Sequence, residues 1–149
     1  MRLRFGRQEP GVDYRVRPCA FGVIEREGRI ACVRVTRQAG PYYDLPGGAI
    51  DEGETEDQAL AREFVEETGL TIAAGRRFAE ADQLFRKSDG EPVENRCAFF
   101  TGAVAAENPA AKIEDDHALV WLTPLEAISG LRHEAHAWAV AVWLRLREA

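Results

Sequence analysis

Glu63, Glu66 and Glu67 lie close together in the run AREFVEETGL, residues 61–70. On a helix, positions i, i+3 and i+4 share a flank, where like charges cost a few tenths of a kcal/mol per pair. A sequence shaped only for folding should avoid that arrangement, so the spacing asks for a positive partner. Carboxylate oxygens suit hard divalent cations such as Mg²⁺ or Mn²⁺, and Mg²⁺ typically takes few protein ligands, leaving positions for water and phosphate oxygens. A cation there would relieve the repulsion, neutralise phosphate charge and lower the pKa of a coordinated water. The competing interpretation is a solvated acidic helix face. Local charge supports the cation: from Asp51 to Glu67 the acids Asp51, Glu52, Glu54, Glu56, Asp57, Glu63, Glu66 and Glu67 face a single base, Arg62.

These acids need a helix to hold them. Thr55 is a plausible N-cap, Gln58 completes a capping box and Gly69 is the expected C′ terminator, which bounds a helix of about residues 56–68. With Glu63 at zero and 100° per residue, Leu60, Ala61, Phe64 and Val65 fall between about 60° and 200°, a core-facing stripe. Glu66, Glu63 and Glu67 occupy the adjoining arc at about −60°, 0° and 40°, with small Ala59 between them. Upstream, VRPCAFGVIEREGRIACVRV predicts a hairpin turning at Glu27-Gly28, with Ile24 opposite Ala31 and Val23 opposite Cys32. GPYYDLPGGAIDEGE reads as a short strand entering an irregular loop. Downstream, LTIAAGRRFAE, ENRCAFFTGAVAA and HALVWL are β-like, with KSDGEP as a turn-rich connection. Thr123, Pro124 and Glu126 open a second helix as N-cap, N1 and N3. It continues through HEAHAWAVAVWLRLREA, with Ala135, Trp138 and Val142 along one face.

The order of elements is mixed α/β, and no repeat or linker divides the chain, so residues 1–149 are expected to form a single domain. At 149 residues and 46% hydrophobic content, the chain can bury one substantial core. A net charge of −6 argues against affinity for nucleic acid or anionic membranes. The charged start MRLRFGRQEP lacks a secretory apolar run, and no stretch reaches the ~18 apolar residues of a membrane span, so a cytoplasmic location is expected. Cys19, Cys32 and Cys97 are odd in number and lack C-x-x-C spacing; reduced, half-buried core thiols are expected. His133 and His136 form H-E-x-H, one residue short of the metalloprotease spacing, and are expected to pack or lie at the surface.

From Gly48 to Leu70 the chain reads GAIDEGETEDQALAREFVEETGL. Gly48, Glu54, Arg62-Glu63, Phe64, Glu66-Glu67, Gly69 and Leu70 fall at every fixed position of the Nudix box, and the region resembles the Nudix hydrolase family. Phe64 is bulkier than the aliphatic residue commonest there. YYDLPGG is similar to the family's strand leading into the box, and VWLTPLEA to its late Trp-containing strand and helix. The resemblance implies an α/β/α sandwich around a mixed β-sheet, with the box forming a loop-helix-loop unit. It further implies that Glu63, Glu66 and Glu67 ligate Mg²⁺ or Mn²⁺, with Glu63 or Glu66 orienting or deprotonating the attacking water. Gly47 matches a position whose carbonyl can ligate metal, the alternative being a simple turn glycine. Glu54 and Arg62 match an ion pair supporting the loop. A further acid can come from a loop before the late Trp; Glu114, Asp115 and Asp116 are candidates, and His117 could approach the same mouth.

The implied reaction is hydrolysis of a phosphoanhydride in a nucleoside diphosphate linked to another group, so the expected partner is a small nucleotide. Phe85 and Arg86 stand where ADP-ribose pyrophosphatases of the family often carry Pro, and Lys87 where diadenosine polyphosphate hydrolases often carry Tyr. Their absence leans the expectation towards a MutT-like nucleoside triphosphate pyrophosphohydrolase. Tyr43, Phe85, Phe99 and Phe100 are candidates for stacking a base, each with a core role as the alternative. The competing class is a nucleotide-sensing module that does not turn over; the intact acidic set argues against it.

Overall fold

The computed structural model describes residues 2–147. In chain order the elements are β1 (Leu3–Phe5), β2 (Arg15–Arg26), β3 (Arg29–Val35), β4 (Tyr42–Asp44), β5 (Gly47–Ala49), α1 (Glu56–Thr68), β6 (Leu70–Arg86) and β7 (Pro92–Glu107). A 3₁₀ turn at Pro109–Ala111 precedes β8 (His117–Leu122), α2 (Pro124–Gly130) and α3 (Glu134–Arg147). The strands form one 8-stranded sheet in the order β1-β6-β7-β2-β3-β4, with β5 added to β2 and β8 to β3. The β1–β6 and β2–β7 pairs are parallel and the others antiparallel, so the sheet is mixed.

Strand alternation separates two cores. Successive side chains point to opposite faces, which puts Cys19, Phe21 and Val23 of β2 with Cys97 and Phe99 of β7 on one side, against Ala135, Ala139, Val140 and Trp143 of α3 and Ala127 of α2. Ala20 and Ile24 of β2 with Ala98 and Phe100 of β7 face the other side, where Leu60 and Phe64 of α1 cover them. Full burial of each large apolar side chain is worth roughly 1.5–3 kcal/mol, and the result is an α/β/α sandwich. Gly22 belongs to the second row, and a Cβ there would lie 2.8 Å from Cε2 of Phe64. The bulk of Phe64 is thus accommodated by a missing side chain on the sheet beneath it.

Three sequence expectations are corrected. The hairpin turns at Glu27 (φ 52°) and Gly28 (φ 79°) in the expected register, but only Glu25–Ile30 and Arg26–Arg29 pair. The Ile24–Ala31 and Val23–Cys32 pairs do not form, because β5 takes that edge of β2 at Cys19–Phe21 and Gly22 N–H donates to Pro46 O at 3.1 Å. The Gly-rich stretch expected as irregular loop therefore supplies a strand. Second, α1 has the expected bounds, Thr55–Gln58 capping box and left-handed Gly69 cap, yet it buries Ala59, Leu60, Phe64, Glu67 and Thr68. Ala61 is exposed and Val65 half-buried. The buried arc is rolled by about 80° towards the carboxylates. Third, the last helix is two helices. After Gly130, Leu131 turns extended and bridges Tyr43, and Arg132 N–H donates to Tyr43 O at 2.9 Å, so the chain leaves the helix to pair with β4. In α3 the buried residues are Ala135, His136, Ala139, Val140 and Trp143; Trp138 and Val142 are half-buried.

Cys19, Cys32 and Cys97 are free and fully buried rather than half-buried, and burial pushes the Cys19 and Cys32 thiols up to about 12. Such thiols are poor nucleophiles at neutral pH. Among the described residues, no helix is long and apolar enough to cross a membrane.

Candidate functional site

Arg62 is the hub of the acidic helix. Its Nε and Nη2 donate to the two Glu54 carboxylate oxygens at 2.8 and 3.0 Å, which fixes the loop before α1 against the helix. Nη2 also donates to Ala49 O at 3.1 Å and lies 3.3 Å from Asp51. Nη1 donates to Glu63 Oε1 at 3.0 Å and Glu66 Oε2 at 3.3 Å. The helix therefore carries part of its own positive partner, set between two of the three acids.

Glu67 is placed differently. It is 7% exposed, and its Oε1 accepts the Gly47 N–H at 3.0 Å. Gly47 has φ +143°, and a Cβ there would collide with Ala20 O, so only glycine brings this N–H to the carboxylate. Burial pushes Glu67 well above the ordinary carboxylate range, against the pull of the Gly47 N–H, with Glu63 adding to the rise. Burial likewise pushes Glu63 up to about 7 despite Arg62, with Glu66 and Glu114 adding. A Cβ on Gly48 would sit 2.9 Å from the Glu63 carboxylate, so the strand presses directly on that acid.

The three carboxylates do not converge to within 4.8 Å of one another; among the described residues, Glu114, Asp116 and His117 do. The physical reason is that Arg62 holds Glu63 and Glu66 while Gly47 holds Glu67. Of the loop acids Glu114 and Asp116 join that group and Asp115 does not. The loop docks on α1 through Glu66 O, which accepts both Ile113 N–H (2.9 Å) and Glu114 N–H (3.0 Å). His117 spans the two groups, with Nδ1 2.8 Å from Asp116 Oδ1 and Nε2 3.6 Å from Glu67 Oε2.

A cleft of about 310 Å³ opens over Gly47, Gly48, Glu63 and Glu67; Glu66 is not among its lining residues. Tyr42, Asp44, Phe85 and Arg132 form part of its wall. The Arg132 guanidinium lies 3.7 Å over the Tyr42 ring and 2.9 Å from Asp44 Oδ2. Burial raises Asp44 to about 6 even with Arg132 pulling it down. Of the expected stacking candidates, Phe85 lines the cleft. Phe99 and Phe100 are buried, and Tyr43 packs against the α2–α3 core while its neighbour Tyr42 faces the cleft. A larger hollow of about 550 Å³ beside Arg7, Glu9, Pro10 and Val12 gathers no comparable chemistry.

His133 and His136 are packing residues. His136 Nδ1 accepts Leu45 N–H at 3.2 Å, its ring lies 4.3 Å from Phe21, and burial depresses it to about 3. His133 lies 4.4 Å from the Phe85 ring and is depressed by burial. Arg17, Tyr42, Asp44 and Arg132 at the cleft went unread in the sequence because they come from separate segments with no motif. The one available signal was alternation, which puts Tyr42 and Asp44 on the side opposite Tyr43.

Comparison with known proteins agrees with this architecture. The family model described as NUDIX domain matches residues 13–145. A putative 8-oxo-dGTP diphosphatase of Bacillus subtilis is 27% identical over 105 residues, covering 70% of this chain and 65% of that protein. An 8-oxo-(d)GTP phosphatase of Mycolicibacterium smegmatis is 36% identical over 103 residues, covering 67% of this chain and 30% of its own length. The chain thus spans less than two thirds of these relatives. A solved NUDIX hydrolase from Nitrosomonas europaea superposes with a TM-score of 0.76 at 20% identity, covering 88% of this chain and 90% of the other. In agreement with the Glu54–Arg62 clamp, the acidic helix and the mixed sheet, the match over residues 13–145 establishes that the chain belongs to the NUDIX family.

Proposed function

We propose that this protein, working as a single domain, hydrolyses a phosphoanhydride bond in a nucleoside diphosphate linked to another group, with a divalent cation, and that its preferred substrate is a nucleoside triphosphate. The observation that carries this reading is the cleft itself, where the acids Glu63 and Glu67 meet a wall of Tyr42, Phe85 and Arg132. The names of the Bacillus and Mycolicibacterium relatives, both concerned with oxidised guanine nucleotides, support a nucleotide substrate.

The donor chemistry suits Mg²⁺ or Mn²⁺, because it consists of carboxylate oxygens beside the Gly47 strand and contains no thiolate; Glu63 and Glu66 would exchange the Arg62 guanidinium for the ion. Glu63, Glu66 and Glu67, with the Gly47 carbonyl, would hold the ion, which when bound supplies charge neutralisation and a more acidic water. The protein's own residues then share the remaining work. Glu63 lines the cleft and is placed to orient the attacking water or take its proton. That favours Glu63 over Glu66: Arg62 holds both carboxylates, but Glu66 lies outside the cleft lining. Glu54 and Arg62 keep the loop and Glu63 in register, and the aromatic wall of Phe85 and Tyr42, the latter already stacked by Arg132, would flank a base.

The test is a panel of nucleoside triphosphates, oxidised nucleotides, nucleotide sugars and dinucleoside polyphosphates with Mg²⁺ or Mn²⁺, scored by identifying both products. Turnover of a triphosphate to monophosphate and pyrophosphate is expected. The second reading, a nucleotide sensor without turnover, draws on the occupation of Glu63 and Glu66 by Arg62; a nucleotide-dependent rise in melting temperature with no product would favour it.

A further inference from the structure

Four cations border the cleft: Arg17, Arg37, Lys87 and Arg132. Three have carboxylate partners. Arg37 pairs with Asp116, Lys87 Nζ lies 3.3 Å from Glu91 Oε1, and Arg132 Nη2 lies 2.9 Å from Asp44 Oδ2. Arg17 makes no ion pair among the described residues. Its Nε donates instead to Asn95 Oδ1 at 2.9 Å.

Asn95 is 3% exposed and sits opposite Arg17 in the parallel β2–β7 register. A buried amide orients the guanidinium through one hydrogen bond but leaves its positive charge uncompensated. A carboxylate in the same place would neutralise it, as Asp44 and Asp116 do for the other arginines. With Nε engaged, both Nη groups remain as donors, a planar pair that matches two oxygens of a phosphate. Arg17 also adjoins the strand bearing the site glycines, since Cys19 pairs with Ala49 and Ile50 N–H donates to Pro18 O at 3.0 Å.

We propose that Arg17, aimed by Asn95, is the cleft's phosphate-binding residue and takes the non-bridging oxygens of a substrate phosphate. This rests on the nucleotide-hydrolase reading and adds which side chain holds the phosphate chain opposite the acids. Arg37, Lys87 and Arg132 serve chiefly to position their own carboxylate partners.

The experiment is calorimetric titration of the whole protein with inorganic pyrophosphate in Mg²⁺, paired with steady-state kinetics on the best substrate of the panel. Arg17→Ala should weaken pyrophosphate binding and raise KM by at least about tenfold, with Arg17→Lys intermediate because a point charge replaces the fork. Asn95→Asp is the sharper variant. It preserves shape and the hydrogen bond and gives Arg17 a carboxylate, so affinity should fall about as far as in Arg17→Ala while the melting temperature holds or rises. Lys87→Ala should cost several-fold less than Arg17→Ala. Pyrophosphate binding within about twofold of wild type in Arg17→Ala or Asn95→Asp would overturn the proposal, as would a Lys87→Ala loss equal to that of Arg17→Ala. Should Asn95→Asp fail to fold, Arg17→Ala and Arg17→Lys decide alone. A wild type that hydrolyses nothing in the panel would instead sink the enzymatic reading, whereas active wild type with unaffected variants sinks only the role of Arg17.

Discussion

Glu67 shows most directly that a residue here is placed for something other than stability. It is a carboxylate in the buried arc of a helix, and among the described residues its one hydrogen-bond donor is the Gly47 N–H. Burial raises Glu67 and Glu63 above their unfolded range, so the folded state binds these protons more tightly than the unfolded chain. Stability from the pair is therefore greatest below about pH 4.5. It falls as pH climbs through about 7 for Glu63, and further for Glu67. Without divalent ions, Glu67→Gln should be more stable than wild type at pH 8 by on the order of 1–3 kcal/mol, and the gap should close at pH 5. Added Mg²⁺ should raise the wild-type melting temperature more at pH 8 than at pH 5 and barely move Glu67→Gln; thermal melts at both pH values check this, and an equal Mg²⁺ response in both proteins would contradict it. The types and spacing of Glu63, Glu66 and Glu67 were readable in the sequence. The grip of Arg62 on two of them was not, because the box pattern pairs Arg62 with Glu54 alone whereas its five donors reach more than one partner.

At the scale of elements, local chemistry gave boundaries and tertiary packing gave orientation. The capping boxes at Thr55 and Thr123 and the glycine at 69 mark helix ends through short-range hydrogen bonds, and each stands where its residues imply. How α1 is rolled on the sheet depends on Gly22 and Gly47, remote in sequence, so a helical wheel could not supply it. The Gly22–Phe64 fit yields a prediction. Gly22→Ala should cost about 1–3 kcal/mol by overpacking, Phe64→Leu should cost about 1 kcal/mol or more through a cavity, and the double variant should recover part of the loss. Urea unfolding of all four proteins should give a favourable coupling of at least about 0.5 kcal/mol; strict additivity would show that the ring does not rest on the glycine. The break between α2 and α3 was hidden for a similar reason, since Leu131 and Arg132 leave the helix only because β4 offers Tyr43 as a partner.

Across the whole molecule, the sheet brings Arg17 of β2, strands β4 and β5, Glu63 and Glu67 of α1, the end of β6, His117 at the start of β8 and Arg132 after α2 to one cleft, so residues from position 17 to position 132 line it together. The family and the α/β/α order were legible because the box fixes many positions within one segment; the cleft wall was not, being assembled from five or more separate ones. A net charge of −6 predicts that the cleft serves small nucleotides rather than polymers. An RNA of about 30 nucleotides at about 0.15 M salt should form no complex in a gel-shift assay with about 10 µM protein, and a stable shift would refute that expectation. Whether the α1 carboxylates drive divalent-cation-dependent cleavage of a phosphoanhydride is decided by one comparison. Initial rates on the best nucleoside triphosphate, with Mg²⁺ and identified products, are measured for wild type and Glu67→Gln. A loss of at least about 10²-fold in kcat with the fold intact is expected; full Mg²⁺-dependent turnover in Glu67→Gln would show that this carboxylate is not part of the reaction.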